Sequence, residues 1–266
     1  MIEKNEGNTD LLIREAKQMS WYHTIELTNG FTTDGMYDLR PCWEKFNFPD
    51  LRGKTVLDVG PADGFFSFEF EKRGAIVTAL DIPSQEDRDD GQYGTGRPEN
   101  TYDEEELNRG LKGADFRTKF NTAKKLLNSR VERIEMNLYE MSKNNIGQFD
   151  VVFCSDVLLH LTDPVRALTK MKDVCKGIAI ISTPIYSVSS FRNPLTKIAM
   201  ALMRRRPLSF FIGADGHGAF WFPTRLCLQK FALSSGFKEV QWVSTFVIEN
   251  SKSFSGERGV IHGLIN

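Results

Sequence analysis

Four residues in the stretch VLDVGPADG have the types and spacing to hold a polar ligand: Asp58, Gly60, Asp63 and Gly64. The apolar residues before them are typical of a buried strand. A glycine turn after such a strand lets the backbone approach a ligand closely. Ala62 stands where a dinucleotide fingerprint has its middle glycine, and no lysine follows Gly64 as in a phosphate-binding loop. The two carboxylates repel phosphate, so they favour a ligand that carries a cationic amine or sulfonium and sugar hydroxyls.

A third acid, Asp81, ends the next apolar stretch, AIVTALD. In open α/β sheets the acid at the end of the second strand accepts hydrogen bonds from ribose hydroxyls. A ligand with a ribose, an α-amino acid and a sulfonium, but no phosphate, matches these residues. The sequence therefore predicts that S-adenosylmethionine binds here.

The elements that position these residues alternate between strand and helix patterns. Strands are predicted over 56–59, 75–81, 131–136, 149–155 and 177–182, and helices over 64–73, 117–129 and 164–174. Further helices are predicted over 9–19, 193–206 and 223–235, and a final antiparallel pair of strands over 237–249 and 259–265. Such alternation predicts an α/β fold with a parallel sheet and helices on both faces. The terminal hairpin brings the expected sheet to seven strands.

The chain divides into an N-terminal segment and one larger domain. Residues 1–53 are expected to form a helical or lid segment that packs on the core, and residues 54–266 the ligand-binding domain. Two insertions interrupt that domain, near 84–116 and 184–220. The first insertion is acidic. The second contains an apolar helix that ends in the basic triplet Arg204–Arg206. The apolar run IAMALM in this helix is consistent with either a homodimer face or a wall of the substrate pocket.

The stretches VLDVGPADGFFSFEFEKRGAIVTALD and FDVVFCSDVLLHLTDPVRAL resemble motifs of the class I S-adenosylmethionine-dependent methyltransferases, which have a Rossmann-like fold. WYHTIEL, VLLHLTDP and WFPT are similar to a narrower group that includes the tRNA wobble-uridine methyl- and carboxymethyltransferases. The resemblance implies that loop residues shape the methionine site, that the strand-two end holds the nucleoside, and that the strand-four end lies beside the methyl group. The implied cofactor-binding residues are Asp58, Gly60, Asp63, Gly64, Asp81, Ile82, Asn137, Leu138, Ser155 and Asp156.

The candidate catalytic residues are His160, Tyr22 and His23. His160 follows the fourth strand, and its side chain suits either a general base or a brace for that loop. Tyr22 and His23 lie in WYHTIEL, which can fold over the cofactor or anchor the N-terminal helix. His217, in the second insertion, is a candidate on the substrate side.

Composition restricts the class of partner. The formal net charge is −1, so no overall electrostatic field attracts a polyanion. This favours methyl transfer to an oxygen or nitrogen of a small-molecule acceptor. A tRNA wobble-uridine methyltransferase is the alternative, and an inactive binding module and a nicotinamide dehydrogenase rank below it.

The four cysteines are scattered, which predicts neither a disulfide framework nor a metal site. The N-terminus lacks the apolar region of a secretory signal, and no apolar run reaches the ~20 residues needed to span a membrane. A cytoplasmic location is therefore expected.

Overall fold

The architecture was obtained as a computed structural model that describes residues 3–28, 30–84, 87, 89, 115–186, 194–203, 206–213, 219–249, 251–252 and 256–265. The strands are β1 (Thr55–Val59), β2 (Ile76–Asp81), β3 (Glu132–Glu135), β4 (Phe149–Ser155), β5 (Cys175–Pro184), β6 (Ser209–Phe211), β7 (Trp221–Pro223), β8 (Glu239–Phe246) and β9 (Arg258–Leu264). The helices are α1 (Glu3–Gln18), α2 (Phe65–Lys72), α3 (Phe116–Leu126), α4 (Lys143–Ile146), α5 (Pro164–Val174), α6 (Pro194–Met203) and α7 (Arg225–Ser234). Short 3₁₀ turns span Arg40–Phe46, Leu138–Glu140 and Leu158–His160.

Seven strands form the main sheet in the order β3-β2-β1-β4-β5-β9-β8. The five strands from β3 to β5 are parallel, and β9 pairs antiparallel with both β5 and β8. Strand order therefore reverses between β1 and β4, and in such sheets ligands bind beyond the carboxyl ends of the strands at that point. The predicted fold class, with its terminal antiparallel hairpin, is confirmed.

The sheet has a hydrophobic core on each face. Aromatic side chains of α2 and the Arg40–Phe46 turn pack on one side, where Phe46, Phe66 and Phe153 lie within 4.5–5.5 Å of one another by ring centroid. Helices α5 and α7 cover the other side. Because both faces are covered, the central strand β1 is almost entirely buried, which explains why Val56, Leu57 and Val59 are apolar although their side chains point to opposite faces.

Side-chain caps fix where several helices begin. Asp163 caps α5 by accepting from the backbone N–H of Arg166 at 2.9 Å, and Pro164 occupies the first helical position. This helix has the predicted bounds because both signals are local. Thr224 likewise caps α7 by accepting from the Cys227 N–H.

Other boundaries differ from the sequence predictions. Helix α1 begins at Glu3, earlier than residue 9, and α6 ends at Met203, with residues 204 and 205 outside the described part of the chain. Helix α7 begins at Arg225 because the residues before it form β7, which pairs antiparallel with β6. Neither of these three-residue strands was predicted, since so short a stretch carries too little alternation to identify.

Candidate active site

A cavity of about 710 Å³ lies beyond the carboxyl ends of the parallel strands. It is bounded by the loop after β1, by the ends of β2, β3 and β4, and by the N-terminal segment. The residues predicted from sequence that line it are Tyr22, His23, Asp58, Gly60, Asp81, Ile82, Asn137, Leu138, Ser155, Asp156 and His160. Side chains that are far apart in the sequence therefore meet in one chamber.

The loop after β1 needs left-handed backbone conformations. Gly60 has φ +75° and Gly64 has φ +101°, and Ala62 adopts φ +52°, which is unfavourable for a residue with a Cβ. A Cβ on Gly60 would overlap the Val157 side chain, and one on Gly64 would overlap the Phe68 ring. Gly60 lines the cavity, whereas Gly64 acts in the turn and begins α2 without reaching the cavity.

Asp58 lies at the base of this loop and is almost fully buried. The Ser67 hydroxyl donates to its Oδ2 at 2.6 Å, which ties β1 to α2. Burial raises the pKa of Asp58 to about 7, although the Ser67 hydrogen bond acts in the opposite direction. A cationic ligand group nearby would favour the ionised form of this carboxyl.

Asp81 ends β2 and faces the cavity. Its Oδ1 accepts from the Ile82 N–H at 3.0 Å, and its Oδ2 lies 3.3 Å from Nη2 of Arg133 on the neighbouring strand β3. The Arg133 guanidinium also lies over the Phe120 ring, 5.1 Å from its centroid. Arg133 was not among the predicted site residues; the parallel pairing of β2 with β3 brings it beside Asp81.

The residues after β3 form the next part of the wall. Oδ1 of Asn137 accepts from the Tyr139 N–H at 3.0 Å and so caps the Leu138–Glu140 turn. Asn137 lines the cavity, and this hydrogen bond fixes the orientation of its side chain. Leu138 is buried, and its side chain contributes apolar surface to the cavity.

Asp63 does not line the cavity, in contrast to its predicted contact with the ligand. Its carboxylate is fully buried and accepts from the backbone N–H groups of Tyr22 and His23 at 2.8 and 2.9 Å. Nδ1 of His23 lies 2.5 Å from Oδ1 of the same carboxylate. Asp63 therefore joins the N-terminal segment to the loop after β1 and orients the His23 ring.

Tyr22 lies beside this pair. Its ring contacts the Tyr37 and Phe116 rings edge to face at 4.9 and 5.5 Å between centroids. Burial raises the pKa of Tyr22 above its usual value, with the nearby Tyr37 and Asp156 adding to the effect. The hydroxyl is therefore protonated at neutral pH and can donate a hydrogen bond.

The end of β4 presents Ser155 and Asp156. Asp156 has φ +54°, and its Oδ2 accepts from Nε of Arg258 at 2.7 Å. Arg258, at the start of β9, is 2% exposed and also donates to the Gly256 carbonyl at 2.8 Å. This buried arginine was not predicted, because only the pairing of β9 with β5 brings it to the cavity.

His160 ends a 3₁₀ turn that follows β4. Its backbone N–H donates to the Val157 carbonyl at 2.9 Å, and the preceding Leu159 carbonyl accepts from the Phe220 N–H at 2.6 Å. The turn therefore holds the segment around β7 against the cavity. Apolar residues of the outer wall that sequence did not identify are Met36, Leu39, Ile212, Ala219, Phe222 and Ile248.

The described part of the first insertion also contributes to the cavity. Oδ2 of Asp89 accepts from Thr162 N and Oγ1, both at 2.7 Å, and from the Tyr139 hydroxyl at 3.0 Å. Asp89 therefore ties this insertion to the turns beside the site.

His217, the remaining candidate on the substrate side, lies outside the described residues. Within them, no group of three or more His, Cys, Asp or Glu side chains is arranged to hold a metal ion.

A family model described as "Methyltransferase domain" matches residues 38–240. The chain therefore belongs to this methyltransferase domain family. Among curated proteins, it is 26% identical over 193 residues to a ubiquinone biosynthesis O-methyltransferase of Psychrobacter arcticus, an alignment that covers 70% of this chain and 60% of the relative. The protein of the same name from Haemophilus ducreyi is 29% identical over 135 residues, which covers 50% of this chain and 46% of the relative.

The fold is also found among solved structures. The N-terminal domain of EvdMO1, crystallised in the presence of SAH and D-fucose, is 16% identical, with a TM-score of 0.55 and 97% of both chains covered. At that identity the likeness establishes the fold alone.

None of the helices in the described ranges has the length and apolar character needed to cross a membrane.

Proposed function

We propose that this chain is an S-adenosylmethionine-dependent methyltransferase that acts on a hydroxyl group of a small-molecule acceptor. The observation that carries the proposal is the cavity itself, which brings the Asp81 carboxylate, the Gly60 loop and the strand-four end of Ser155 and Asp156 into one chamber. Membership of the methyltransferase domain family supports the reaction, and the names of the curated relatives support oxygen as the methylated atom.

The residues present fit this cofactor. Asp81 would accept hydrogen bonds from the ribose, and Ile82 and Leu138 would enclose the adenine. Gly60 provides the close backbone approach that the methionine moiety needs, and the Asp58 carboxyl lies in the same wall. The bound cofactor would supply a methyl group on a sulfonium, which is electrophilic.

The chain's own part in the reaction is to align the acceptor, exclude water and remove one proton. We assign His160 as the group that would accept the acceptor's hydroxyl proton as the acceptor oxygen takes the methyl group. The imidazole would then release that proton to solvent, and S-adenosylhomocysteine would be the second product. Positioning supplies much of the acceleration in such an in-line transfer.

The outer part of the cavity indicates the kind of acceptor. Leu159, Ile212, Phe222 and Ile248 make this wall largely apolar, and Arg258 and Asp156 add one ion pair. An apolar molecule with one hydroxyl near His160 suits this surface better than a polyanion. The N-terminal segment, residues 1–53, is assigned as a cover, since Tyr22, His23 and Tyr37 form one side of the cavity.

Calorimetry with S-adenosylhomocysteine tests the cofactor assignment. We expect Asp81→Asn to weaken binding about 10- to 100-fold, because a hydrogen bond to a charged acceptor is worth about 1.5–3 kcal/mol. Glu135→Gln is the matched control: Glu135 pairs with Asp81 across β2 and β3 and does not line the cavity. Tight NAD binding by the wild type, or equal S-adenosylhomocysteine affinity in Asp81→Asn, would contradict the assignment.

The acceptor class is tested separately by following release of S-adenosylhomocysteine. We expect turnover with a hydroxylated small-molecule extract and none with bulk tRNA. Turnover with tRNA alone would favour the wobble-uridine alternative. Cofactor binding without turnover on either substrate would favour an inactive binding module.

A further inference from the structure

Helix α6 and the strand after it expose an unusual amount of apolar side chain. Leu195 and Leu202 are each 75% exposed, and Ile198 and Phe211 are 60% and 62% exposed. In α6 these side chains are spaced by three and four residues, so they lie on one face of the helix. We call Leu195, Ile198, Leu202, Met203 and Phe211 the α6–β6 surface. Exposed apolar side chains grouped in this way are typical of an interaction site.

The charge of this region has one sign. Residues 187–213 contain no Asp or Glu, although the whole chain has a formal net charge of −1. The cations of this segment are Arg192, Lys197, Arg204, Arg205 and Arg206. Of these, Lys197 and Arg206 lie in described positions and are exposed. The α6–β6 surface therefore favours an occupant that is apolar and carries negative charge.

The α6–β6 surface continues to the mouth of the cavity. The Arg206 N–H donates to the Met203 carbonyl at 2.8 Å, so Arg206, three residues before β6, lies beside the end of α6. Strand β6 pairs with β7, and Ile212, just after β6, is 39% exposed and also lines the cavity. Whatever covers this surface therefore lies beside the outer, apolar part of the cavity.

We infer that the α6–β6 surface docks on an anionic lipid bilayer, with α6 lying in the plane of the interface. Helix α6 is ten residues long, which is too short to span a bilayer but suits interfacial insertion of one apolar face. Arg206, just after the helix, would lie near anionic headgroups, and Lys197, on the other side of α6 from the apolar face, would add positive charge about one helix diameter away. A second copy of the chain fits less well, because pairing this surface with its own copy would bring together two segments that contain cations and no Asp or Glu.

Co-sedimentation with vesicles tests this inference on the full chain without cofactor or acceptor, so its outcome is distinguishable from failure of the proposed methyltransferase function. We expect binding to vesicles of phosphatidylcholine with phosphatidylglycerol, and much weaker binding to phosphatidylcholine alone. Added salt should weaken binding, and Arg206→Glu should lower the partition coefficient by roughly fivefold or more, the effect of one basic residue near an anionic surface.

The apolar contribution is tested by Ile198→Glu together with Leu202→Glu, which should abolish binding. Leu11→Glu is the matched control, since Leu11 is 54% exposed on α1 and lies outside the α6–β6 surface. Ile198→Ser with Leu202→Ser repeats the test without new charge, and circular dichroism checks that each variant is folded.

Three results would overturn the inference. The first is failure of the wild type to bind anionic vesicles, and the second is binding by the double variants that equals that of Leu11→Glu. The third is a wild-type dimer in sedimentation velocity that the double variants dissociate, which would assign the surface to a second copy of the chain.

Discussion

Nδ1 of His23 lies 2.5 Å from Oδ1 of Asp63, and the same carboxylate accepts the backbone N–H groups of Tyr22 and His23. One buried acid therefore accepts two backbone N–H groups of the N-terminal segment and also contacts the His23 ring. Because Asp63 sits in the loop after β1, the position of that segment and the shape of the loop depend on each other.

Replacement of Asp63 should therefore destabilise the protein. We expect Asp63→Ala to lower the free energy of unfolding by about 3 kcal/mol, because it leaves buried donors without an acceptor. Asp63→Asn retains one oxygen acceptor and should cost less. Urea denaturation measures both, with Asp50→Ala as the control, since Asp50 makes an exposed ion pair with Arg52. Equal stability of Asp63→Ala and wild type would show that the carboxylate does not hold the segment.

Replacements of His160 and His23 should have different effects on kcat and on cofactor affinity. His160→Ala should lower kcat by about 10²-fold or more with unchanged affinity for S-adenosylhomocysteine, as expected for loss of a general base. His23→Ala should chiefly weaken cofactor binding, since His23 is held against the loop after β1. Steady-state kinetics and calorimetry on both variants provide the comparison. An unchanged kcat in His160→Ala would make His160 a brace for its turn.

Asp58 should give stability a specific pH dependence. Burial raises its pKa from 3.8 in a model peptide to about 7, so the folded state binds the proton more tightly than the unfolded state. The stabilisation is fully present below about pH 4 and is lost as the pH rises through about 7. The unfolding free energy of the wild type should therefore fall relative to Asp58→Asn across this range, by a few kcal/mol at most. Urea titrations at several pH values measure the difference, and a rise with pH would contradict the assignment.

The effects of Asp156 and Arg258 on the free energy of unfolding should be coupled, because the two side chains form one ion pair. Arg258→Met leaves Asp156 without its cation, and we expect a loss of about 3 kcal/mol in unfolding free energy. Adding Asp156→Asn should restore most of that loss, because the uncompensated charge is gone. Arg52→Met is the exposed control and should change stability by less than about 1 kcal/mol. Additive effects of the two changes at 156 and 258 would exclude the coupling.

The parts of the fold and the site that could be predicted from the sequence depend on residues close to one another in the chain. The strand-loop-helix stretch that contains Asp58 and Gly60, and the Pro164–Val174 helix with its Asp163 cap, each depend on neighbours within a few residues. Alternation of such units is enough to identify the sheet and the side on which a ligand binds.

The site contacts that could not be predicted from the sequence join residues that are distant in the chain. Asp63 and His23 are separated by 40 residues, and Arg258 and Asp156 by 102. No local pattern reports such a pair, so the sequence placed Asp63 against the ligand and left Arg258 out of the site. Strands β6 and β7 were missed for a related reason, since each has three residues and is stabilised by its partner.

The position of β9 also has a consequence for the order of folding. This strand lies between β5 and β8 in the sheet, although both precede it in the chain, and among the strand pairs of the described residues β8 pairs with β9 alone. On a ribosome, β8 emerges before the only neighbour through which it joins the sheet, and β5 keeps an open edge until β9 is made. Unpaired edges favour association with other chains. The nascent protein should thus be most prone to aggregation just before β9 is synthesised, and Arg258, which lines the cavity, is the first residue of that strand.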